Sequence, residues 1–164
     1  MPITTRTAEP QDLAAIVEIY NQAIAIHSTG HLDPLSEDDQ RQWFEDHASD
    51  YPILVAAVDD TVVGWASFSS YRPGRGAFRH TAEISYYVDA AHRRQGVASE
   101  LIARSIERCA ALGFKTLVAI LLADNQASIT LLVKFGFERW AHLPDIADFD
   151  DREVGHVFYG LRVV

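Results

Sequence analysis

The feature that most constrains the fold is a short apolar run, Thr116 to Leu122, that lies between two helical segments. An uninterrupted apolar stretch of this length is typical of a strand buried in the centre of a sheet. The helix before it extends from Gly96 to Leu112 and ends at Gly113. The helix after it begins at Asn125 and stops at Gly136. The run therefore predicts a central strand with a helix on either side of it in the sequence.

Turn and cap signals divide the rest of the chain into further strands and helices. Pro10 opens a helix that continues to Ile24, and Ser36 caps a second helix. Asp59-Asp60 separates two β-rich runs and so predicts a hairpin. The predicted strands are Ile3 to Thr7, Ile53 to Val58, Thr61 to Tyr71, Thr81 to Val88, Thr116 to Leu122 and, after an acidic loop at Asp145 to Glu153, Val154 to Val164. This order of elements predicts an α/β fold in which a mixed sheet has helices on its faces.

The composition and the charge argue against several classes of protein. The 164 residues suit one domain, so we expect a single domain over residues 1–164. The formal net charge of -9 opposes binding to nucleic acid or to anionic lipid. The longest apolar run, Leu117 to Ala123, is too short to span a bilayer. A single cysteine cannot form an internal disulfide, and we therefore expect a cytoplasmic protein.

The segment from Arg93 to Ser99 has the composition of a phosphate-binding loop. Gly96 and Ala98 are small, so an oxygen-rich ligand can approach the backbone, and the first N–H groups of the following helix are free to bind it. Arg93 and Arg94 add positive charge. An ordinary basic turn before a helix is the alternative interpretation. Gly74-Arg75-Gly76 lacks the third glycine of a dinucleotide fingerprint and no Gly-Lys-Ser/Thr occurs, which argues against nicotinamide and nucleoside triphosphate ligands.

Several motifs occur in a fixed order along most of the chain. They are Tyr51 to Ala56, Tyr71-Arg72-Pro73, Phe78-Arg79, the Arg-x-x-Gly-x-Ala element at Arg93 to Ala98, and Asn125-x-x-Ser128 followed by Phe135-Gly136-Phe137. With these motifs the chain resembles the GNAT acetyltransferases, and among them the phosphinothricin and methionine sulfoximine acetyltransferases. The resemblance implies a mixed, mostly antiparallel sheet of seven or so strands, splayed in its middle, with four helices on its faces. It also implies a homodimer, acetyl-coenzyme A as co-substrate and no metal.

The resemblance further implies which residues form the site. The cofactor would be held by Tyr86, Tyr87, Val88, Arg93, Arg94, Gln95, Gly96, Val97, Ala98, Ser99, Asn125 and Ser128. Glu83 would be the general base, and the Val88 N–H would donate to the oxyanion. The acceptor would lie against Arg72, Pro73, Gly74, Glu83, Ile84 and Ser85. The plainer alternatives are a solvated strand glutamate, a solvated basic loop at Arg72 and a simple helix cap at Asn125.

Two segments depart from the family pattern. Leu132 stands where relatives place a tyrosine or histidine, so water or another tyrosine would have to protonate the leaving thiolate. Phe149, Glu153 and Gly155 replace a lysine, a tryptophan and an aspartate, which makes an acidic lip. Such a lip favours a cationic or zwitterionic acceptor over a strongly anionic one such as phosphinothricin.

The implied function is transfer of an acetyl group to the amine of a small, amino-acid-like molecule, directly in a ternary complex. A free amino acid would depend on Arg72, because a guanidinium can bind a carboxylate through two parallel hydrogen bonds. Two alternatives stay open. The enzyme would acetylate a polyamine or a protein amino terminus, or the chain would be a non-catalytic sensor of acyl-coenzyme A.

The remaining histidine, tryptophan and cysteine residues favour structural roles. His27 and His31 have the spacing of helical metal ligands, but Gly30 lies between them and no third ligand beyond Asp33 is evident, so no metal is expected. Residues expected in the core are Trp43, Trp65, Trp140 and Cys109.

Overall fold

The computed structural model describes residues 2–47 and 49–164, and over these residues it contains seven strands and four α-helices. The strands are β1 Thr4–Thr7, β2 Ile53–Val58, β3 Thr61–Ser70, β4 Thr81–Val88, β5 Thr116–Leu122, β6 Glu138–Asp148 and β7 Glu153–Arg162. The helices are α1 Leu13–Ala25, α2 Glu37–Asp46, α3 Val97–Leu112 and α4 Gln126–Lys134. The strand order is β1-β2-β3-β4-β5-β7-β6, and β4 with β5 is the parallel pair among antiparallel ones. The predicted mixed sheet is confirmed.

The ends of the helices follow the cap signals in the sequence. Gly96 and Gly113 bracket α3 in left-handed conformations, with φ of +86° and +81°. The Ser36 side chain accepts a hydrogen bond from the Asp39 N–H at 3.0 Å, and the Asn125 side chain accepts one from the N–H of residue 128 at 3.3 Å. Within the described residues, no helix has both the length and the hydropathy of a membrane span.

The chain after Gly136 corrects one prediction. Glu138–Asp148 forms β6, a strand that the sequence did not indicate, and it includes the first part of the segment expected to be an acidic loop. The turn is confined to residues 149–152, where the Phe149 N–H donates to the Arg152 carbonyl at 2.9 Å. Since β6 is an edge strand and almost wholly exposed, it lacks the alternation of apolar and polar residues that marks a half-buried strand.

The three tryptophans differ in burial. Trp65 is 3% exposed and Cys109 is 1% exposed, as predicted. Trp43 is half-buried and packs edge-on against Trp65, with ring centroids 5.5 Å apart. The prediction that Trp140 belongs to the core is wrong, because this residue is 49% exposed on the edge strand β6. Its ring covers Gly160, where an added Cβ would lie 2.0 Å from the indole.

Two apolar clusters fix the helices on opposite faces of the sheet. On one face α3 packs through Val97, Leu101 and Ile102 against β3 and β4. This contact is close at Gly64 on β3, where a Cβ would lie 2.7 Å from Val97 Cγ1. On the other face α1 packs through Ile16 and Ile19 against β2 and β3. The first turn of α3 is thereby held beside the end of β4, where the candidate site lies.

Candidate functional site

The sheet opens between its two central strands. β4 and β5 are paired only at Thr81 with Thr116, Ala82 with Leu117 and Glu83 with Val118. Beyond these pairs β4 keeps its partner β3 and β5 keeps its partner β7. The facing edges of residues 84–88 and 119–122 therefore have no strand partner, and the splay implied by the family resemblance is present. We call this opening the β4–β5 cleft.

The backbone groups of alternate β4 residues point into the cleft. Just beyond β4, the Asp89 N–H donates to a carbonyl of β3 at 2.8 Å. Since hydrogen bonds to an antiparallel partner recur at every second residue, the backbone groups of Ile84, Tyr86 and Val88 point away from β3. The Ile84 N–H serves the last pair with β5, so the Ile84 C=O and both backbone groups of Tyr86 and Val88 are available to a ligand in the cleft, whereas those of Tyr87 bond to β3.

Two cavities meet in the cleft. The cleft cavity, of about 420 Å³, is lined by Ile84, Ser85, Ile120, Leu132 and His156 among others. The loop cavity, of about 580 Å³, extends from the cleft to the Arg93–Ser99 loop. Both are lined by Ser28, Tyr86, Tyr87, Asn125 and Ser128. A long ligand can therefore occupy both cavities at once.

The loop cavity has the properties of an anion site. The Glu100 N–H donates to the Gly96 carbonyl at 3.0 Å, so the N–H groups of the three preceding residues have no acceptor within the helix. An added Cβ at Gly96 would meet nothing within 4 Å, which leaves the backbone open to a ligand. Arg93 and Arg94 are exposed and form no ion pair with another described residue. The amino-terminal end of α3 and the two guanidinium groups together favour the binding of a negatively charged group in the loop cavity.

Glu83 lies where the cleft closes. It is the last β4 residue paired with β5, and it shares a sheet face with Ser85 and Tyr87. The carboxyl is half-buried and forms no hydrogen bond or ion pair with the residues that the structure describes, so burial raises its pKa. Arg79 does not offset this, because its guanidinium donates to the Gly76 carbonyl at 3.0 Å. Glu83 is therefore a stronger base than an ordinary surface glutamate.

A third cavity, of about 280 Å³, lies on the face of the sheet that carries Glu83, between α1, α2 and strands β3 and β4. We call it the aromatic cavity, since it is lined by Tyr20, Trp43, Trp65 and Tyr87, together with Ser67, Ser69, Ser85 and other residues. The strand register sets Ser67 opposite Ser85 and Ser69 opposite Glu83. Ser85 and Tyr87 also line the cleft cavity, so the two spaces adjoin beside Glu83.

Two aromatic side chains carry buried polar atoms without a hydrogen-bond partner among the described residues, the Tyr86 hydroxyl and Trp65 Nε1. Burial raises the pKa of Tyr86 to about 12. Burial likewise raises the pKa of Tyr87, so both phenols stay protonated near neutral pH. A buried donor or acceptor without a partner is costly.

The structure does not bring every predicted residue to a cavity. Arg72, Pro73 and Gly74 are exposed in the turn after β3 and line none of the three cavities. Gln95 donates to the Ala91 carbonyl at 3.3 Å and also lines none of them. Arg152, in the altered segment, forms an ion pair with Asp124. The turn at Arg72 thus lies outside the three cavities, and the side chains of Gln95 and Arg152 bond to other parts of the chain.

His156 is a cavity residue that sequence analysis missed. It lies on β7 opposite Leu122 and lines the cleft cavity, and burial lowers its pKa. A single histidine inside a strand belongs to no motif, so no local signal marked it. The two histidines considered as metal ligands have other contacts. The ring of His27 stacks on Phe149, and His31 forms a hydrogen bond with the Tyr20 hydroxyl. In the described residues no group of three potential metal ligands forms.

Comparison with known proteins gives relatives that match most of the chain. The model of a family described as the acetyltransferase (GNAT) family matches residues 15–137. The L-amino acid N-acyltransferase MnaT of Escherichia coli is 36% identical over 163 residues, which cover 98% of this chain and 94% of that protein. An L-methionine sulfoximine/L-methionine sulfone acetyltransferase of Salmonella typhimurium is 36% identical, covering 88% of this chain and 85% of that protein.

Solved structures show the same architecture. The crystal structure of a GNAT superfamily phosphinothricin acetyltransferase of Sinorhizobium meliloti in complex with acetyl-coenzyme A matches with a TM-score of 0.93. The two chains are 29% identical, and the match covers 99% of this chain and 89% of the other. The segment that the family model matches contains both strands of the β4–β5 cleft and the loop that begins α3.

Proposed function

Because this chain belongs to the GNAT acetyltransferase family, we propose that residues 1–164 form one domain that transfers the acetyl group of acetyl-coenzyme A to the amine of a small, amino-acid-like acceptor. The observation that carries the proposal is the β4–β5 cleft, which adjoins the anion site of α3 at one end and Glu83 at the other. The names of the relatives, an L-amino acid N-acyltransferase and a methionine sulfoximine acetyltransferase, support the choice of acceptor.

In this proposal the loop cavity holds the phosphates of the co-substrate. The free N–H groups of Val97, Ala98 and Ser99 bind the pyrophosphate, and Arg93 and Arg94 neutralise its charge. The backbone groups of β4 that point into the cleft hold the pantetheine arm like an added strand. Asn125 and Ser128 border both cavities and contact the arm from α4.

Glu83 is the proposed general base. The acceptor arrives as an ammonium ion, which must lose a proton before the nitrogen can attack the thioester. The pKa of Glu83 is raised by burial, so its carboxylate accepts that proton more readily than an exposed one. Transfer then proceeds directly between acceptor and thioester, in a complex that contains both.

Two N–H groups are candidates to stabilise the oxyanion. Val88 is the one implied by the family resemblance, and its N–H points into the cleft. Val88, however, lines only the loop cavity, whereas Tyr86 lines both cavities, lies nearer Glu83 along β4 and also has an N–H that points into the cleft. The acetyl carbon must lie within reach of both the base and the oxyanion donor. We therefore prefer the Tyr86 N–H to that of Val88 in this role.

Tyr86 is the proposed source of the proton for the leaving thiolate. Leu132, at the position where relatives place such an acid, is fully buried, and Tyr86 belongs to the same apolar cluster. The Tyr86 hydroxyl is protonated, has no partner among the described residues and belongs to a side chain that borders both cavities. We expect Tyr86→Phe to lower kcat about tenfold or more, with an unchanged KM for the acceptor. An unchanged kcat would assign the proton to water.

Arg72 is the proposed ligand of an acceptor carboxylate. It follows the end of β3, where Ser69 is paired with Glu83, and forms no ion pair with another described residue. The turn that contains Arg72 therefore lies at the closed end of the cleft, near Glu83. A guanidinium at this place suits the carboxylate of a free amino acid.

Release of coenzyme A thiol tests the function. The purified protein is mixed with acetyl-coenzyme A and a panel of amino acids, methionine sulfoximine, phosphinothricin, polyamines and a short peptide. We expect release with free amino acids and their neutral analogues. Release with polyamines or the peptide alone would assign the chain to those acceptors, and tight co-substrate binding without release to any amine would make it a sensor.

The assembly is proposed to be a homodimer, in the cytoplasm. The support is β6, an edge strand that exposes Trp140, Leu143 and Ile146 at 49%, 36% and 58%. An exposed apolar edge strand commonly pairs with another chain. In sedimentation, the wild type and Val133→Lys on α4 should have twice the mass of one chain, whereas Leu143→Lys should have the mass of one chain. A wild-type protein with the mass of one chain would refute the dimer.

A further inference from the structure

The segment that leads from β4 into the anion site is held by a residue of α1. The chain leaves β4 at Asp89 and makes a single turn over residues 90–92 before it reaches Arg93. Over the described part of the chain, residues 90–96 form hydrogen bonds within the segment, with Asp89 and with α3, and in addition one with α1. In that one, the Ala90 N–H donates to Gln22 Oε1 at 2.8 Å. Gln22 is therefore the link between this segment and α1.

The other end of the Gln22 amide is also engaged. Its Nε2 donates to Asp89 Oδ1 at 2.9 Å, so two consecutive residues of the segment bind one side chain. One partner donates and the other accepts, which determines which end of the amide faces which partner. Gln22 is half-buried and lines none of the three cavities. Its effect on a ligand in the loop cavity must therefore pass through Asp89 and Ala90.

Asp89 extends this contact to the wall of the loop cavity. Its Oδ2 is hydrogen-bonded to Nδ1 of His92 at 2.7 Å, and His92 lines that cavity. The hydrogen bond from Gln22, followed by that from His92, lowers the pKa of Asp89, so this carboxyl is ionised near neutral pH. A carboxylate near an anion site repels a bound phosphate. Asp89 is accordingly suited to hold Gln22 and His92 and not to contact the ligand.

Two walls of the loop cavity meet at Gln22. One wall belongs to α1 and contains Ile19, Ala23 and Ile26, and another is the Arg93–Ser99 loop. The loop contains a residue in the left-handed region, since Arg94 has a φ of +60°. Such a conformation persists only where the surrounding structure holds it. The contacts of Gln22 fix the chain just before this residue and set where the loop lies relative to α1.

We propose that Gln22 is a positioning residue for the anion site, and that its bonds to Asp89 and Ala90 set the affinity for acetyl-coenzyme A without contact between Gln22 and the ligand. This inference rests on the proposed function, because the proposed function assigns the anion site to that co-substrate. Gln22 lies outside the cleft where the acetyl group is transferred. Its loss should therefore change binding and leave the transfer step nearly unchanged.

The first test removes both hydrogen bonds of Gln22. Gln22→Met keeps the length and the charge of the side chain but has neither the N–H nor the oxygen. We expect the Kd for acetyl-coenzyme A, measured by isothermal titration, to rise about tenfold. With an amine that the wild type accepts, kcat at saturating co-substrate should stay within about twofold.

Gln42→Met on α2 is the matched control. Gln42 is exposed, and its Nε2 likewise donates to an aspartate, Asp46, at 2.8 Å. We expect the control to keep the wild-type Kd. A wild-type Kd in Gln22→Met would overturn the proposal. So would an equal fall of kcat and of affinity, which would indicate a general loss of structure.

The second test exchanges the partners. Gln22→Glu places a carboxylate against that of Asp89, and we expect the Kd to rise at least about tenfold. Adding Asp89→Asn restores the bond in the opposite direction, because the amide of residue 89 can donate to the carboxylate of residue 22. The Ala90 N–H and the His92 ring keep acceptors in this double variant. Its Kd should return to within about threefold of the wild type.

Asp89→Asn alone completes the cycle and controls for charge. We expect its Kd to lie within about threefold of the wild type, so that the two substitutions are not additive. A double variant that binds no better than Gln22→Glu would overturn the proposal. Asp89→Asn alone that binds more tightly, by the factor that Gln22→Glu loses, would show a charge effect without contact and would overturn it as well.

These measurements separate the inference from the proposed function. A wild-type protein that does not bind acetyl-coenzyme A would contradict the proposed function itself. If the wild type binds the co-substrate and the Gln22 variants bind it equally well, the proposed function stands and the role of Gln22 is wrong.

Discussion

Replacing Glu83 by glutamine is expected to lower kcat roughly 100- to 10,000-fold, the usual contribution of a positioned general base. The Kd for acetyl-coenzyme A should stay within about twofold, because Glu83 lies at the closed end of the cleft and lines neither the loop cavity nor its anion site. Steady-state thiol release and isothermal titration with the co-substrate measure the two quantities. Glu138→Gln, on the exposed strand β6, is the matched control and should leave both unchanged.

Stability gives a second readout for the same variant. Burial raises the folded-state pKa of Glu83 above its ordinary value of 4.5, so the ionised carboxyl lowers stability at neutral pH. This loss of stability is absent at low pH, where Glu83 is protonated in both the folded and the unfolded chain. It is complete above the raised pKa. Glu83→Gln should therefore melt no lower than the wild type at pH 7. A variant that is both inactive and clearly less stable would indicate a structural role.

The pH dependence of the wild type follows from the same group. A base must be ionised to act, so kcat should fall as the pH drops through the raised pKa of Glu83. This acidic limb should be missing from the residual activity of Glu83→Gln. An unchanged limb in that variant would assign the titration to another group, of which His156 is a candidate because it lines the cleft cavity.

Replacing Ala98 by glutamate is expected to weaken acetyl-coenzyme A binding about 10- to 100-fold. Ala98 lies in the first turn of α3 and lines the loop cavity, where the free N–H groups and the helix dipole favour an anion. A carboxylate placed there competes with the pyrophosphate for these groups and repels it. Isothermal titration measures the loss.

The same substitution should not destabilise the fold, because an acidic side chain in the first turn of a helix is favourable. Ala98→Gln is the matched control, since it has nearly the same size and shape without the charge. We expect its Kd to rise much less than that of Ala98→Glu. Equal Kd values for the two variants would show that bulk rather than charge is responsible, and would contradict a phosphate site at this loop. Ala98 suits this test better than Gly96, whose φ of +86° makes any substitution strained.

The sequence predicted well what neighbouring residues decide. The bounds of α3 depend on glycines at its two ends, and the hairpin of β2 and β3 depends on Asp59-Asp60, both of which have positive φ. The phosphate loop is equally local, because free N–H groups occur wherever a helix begins without a side-chain cap. The apolar run of β5 indicated a buried strand because β5 lies inside the sheet, between β4 and β7, where most of its residues are buried.

Other features depend on residues that are far apart in the chain. β6 was missed and Trp140 was placed in the core because edge position is a property of the whole sheet. The direction of the Tyr86 N–H follows from the register with β3, and the unpaired β4 edge follows from the course of β5.

The sequence by itself determined the order of the elements, the loop that begins α3 and the family to which the chain belongs, because each rests on short stretches of residues. Only the tertiary structure decided which atoms lack a partner and which cavities adjoin. Burial is set by the packing of distant segments, and burial is what raises the pKa of Glu83 and leaves Trp65 Nε1 without an acceptor.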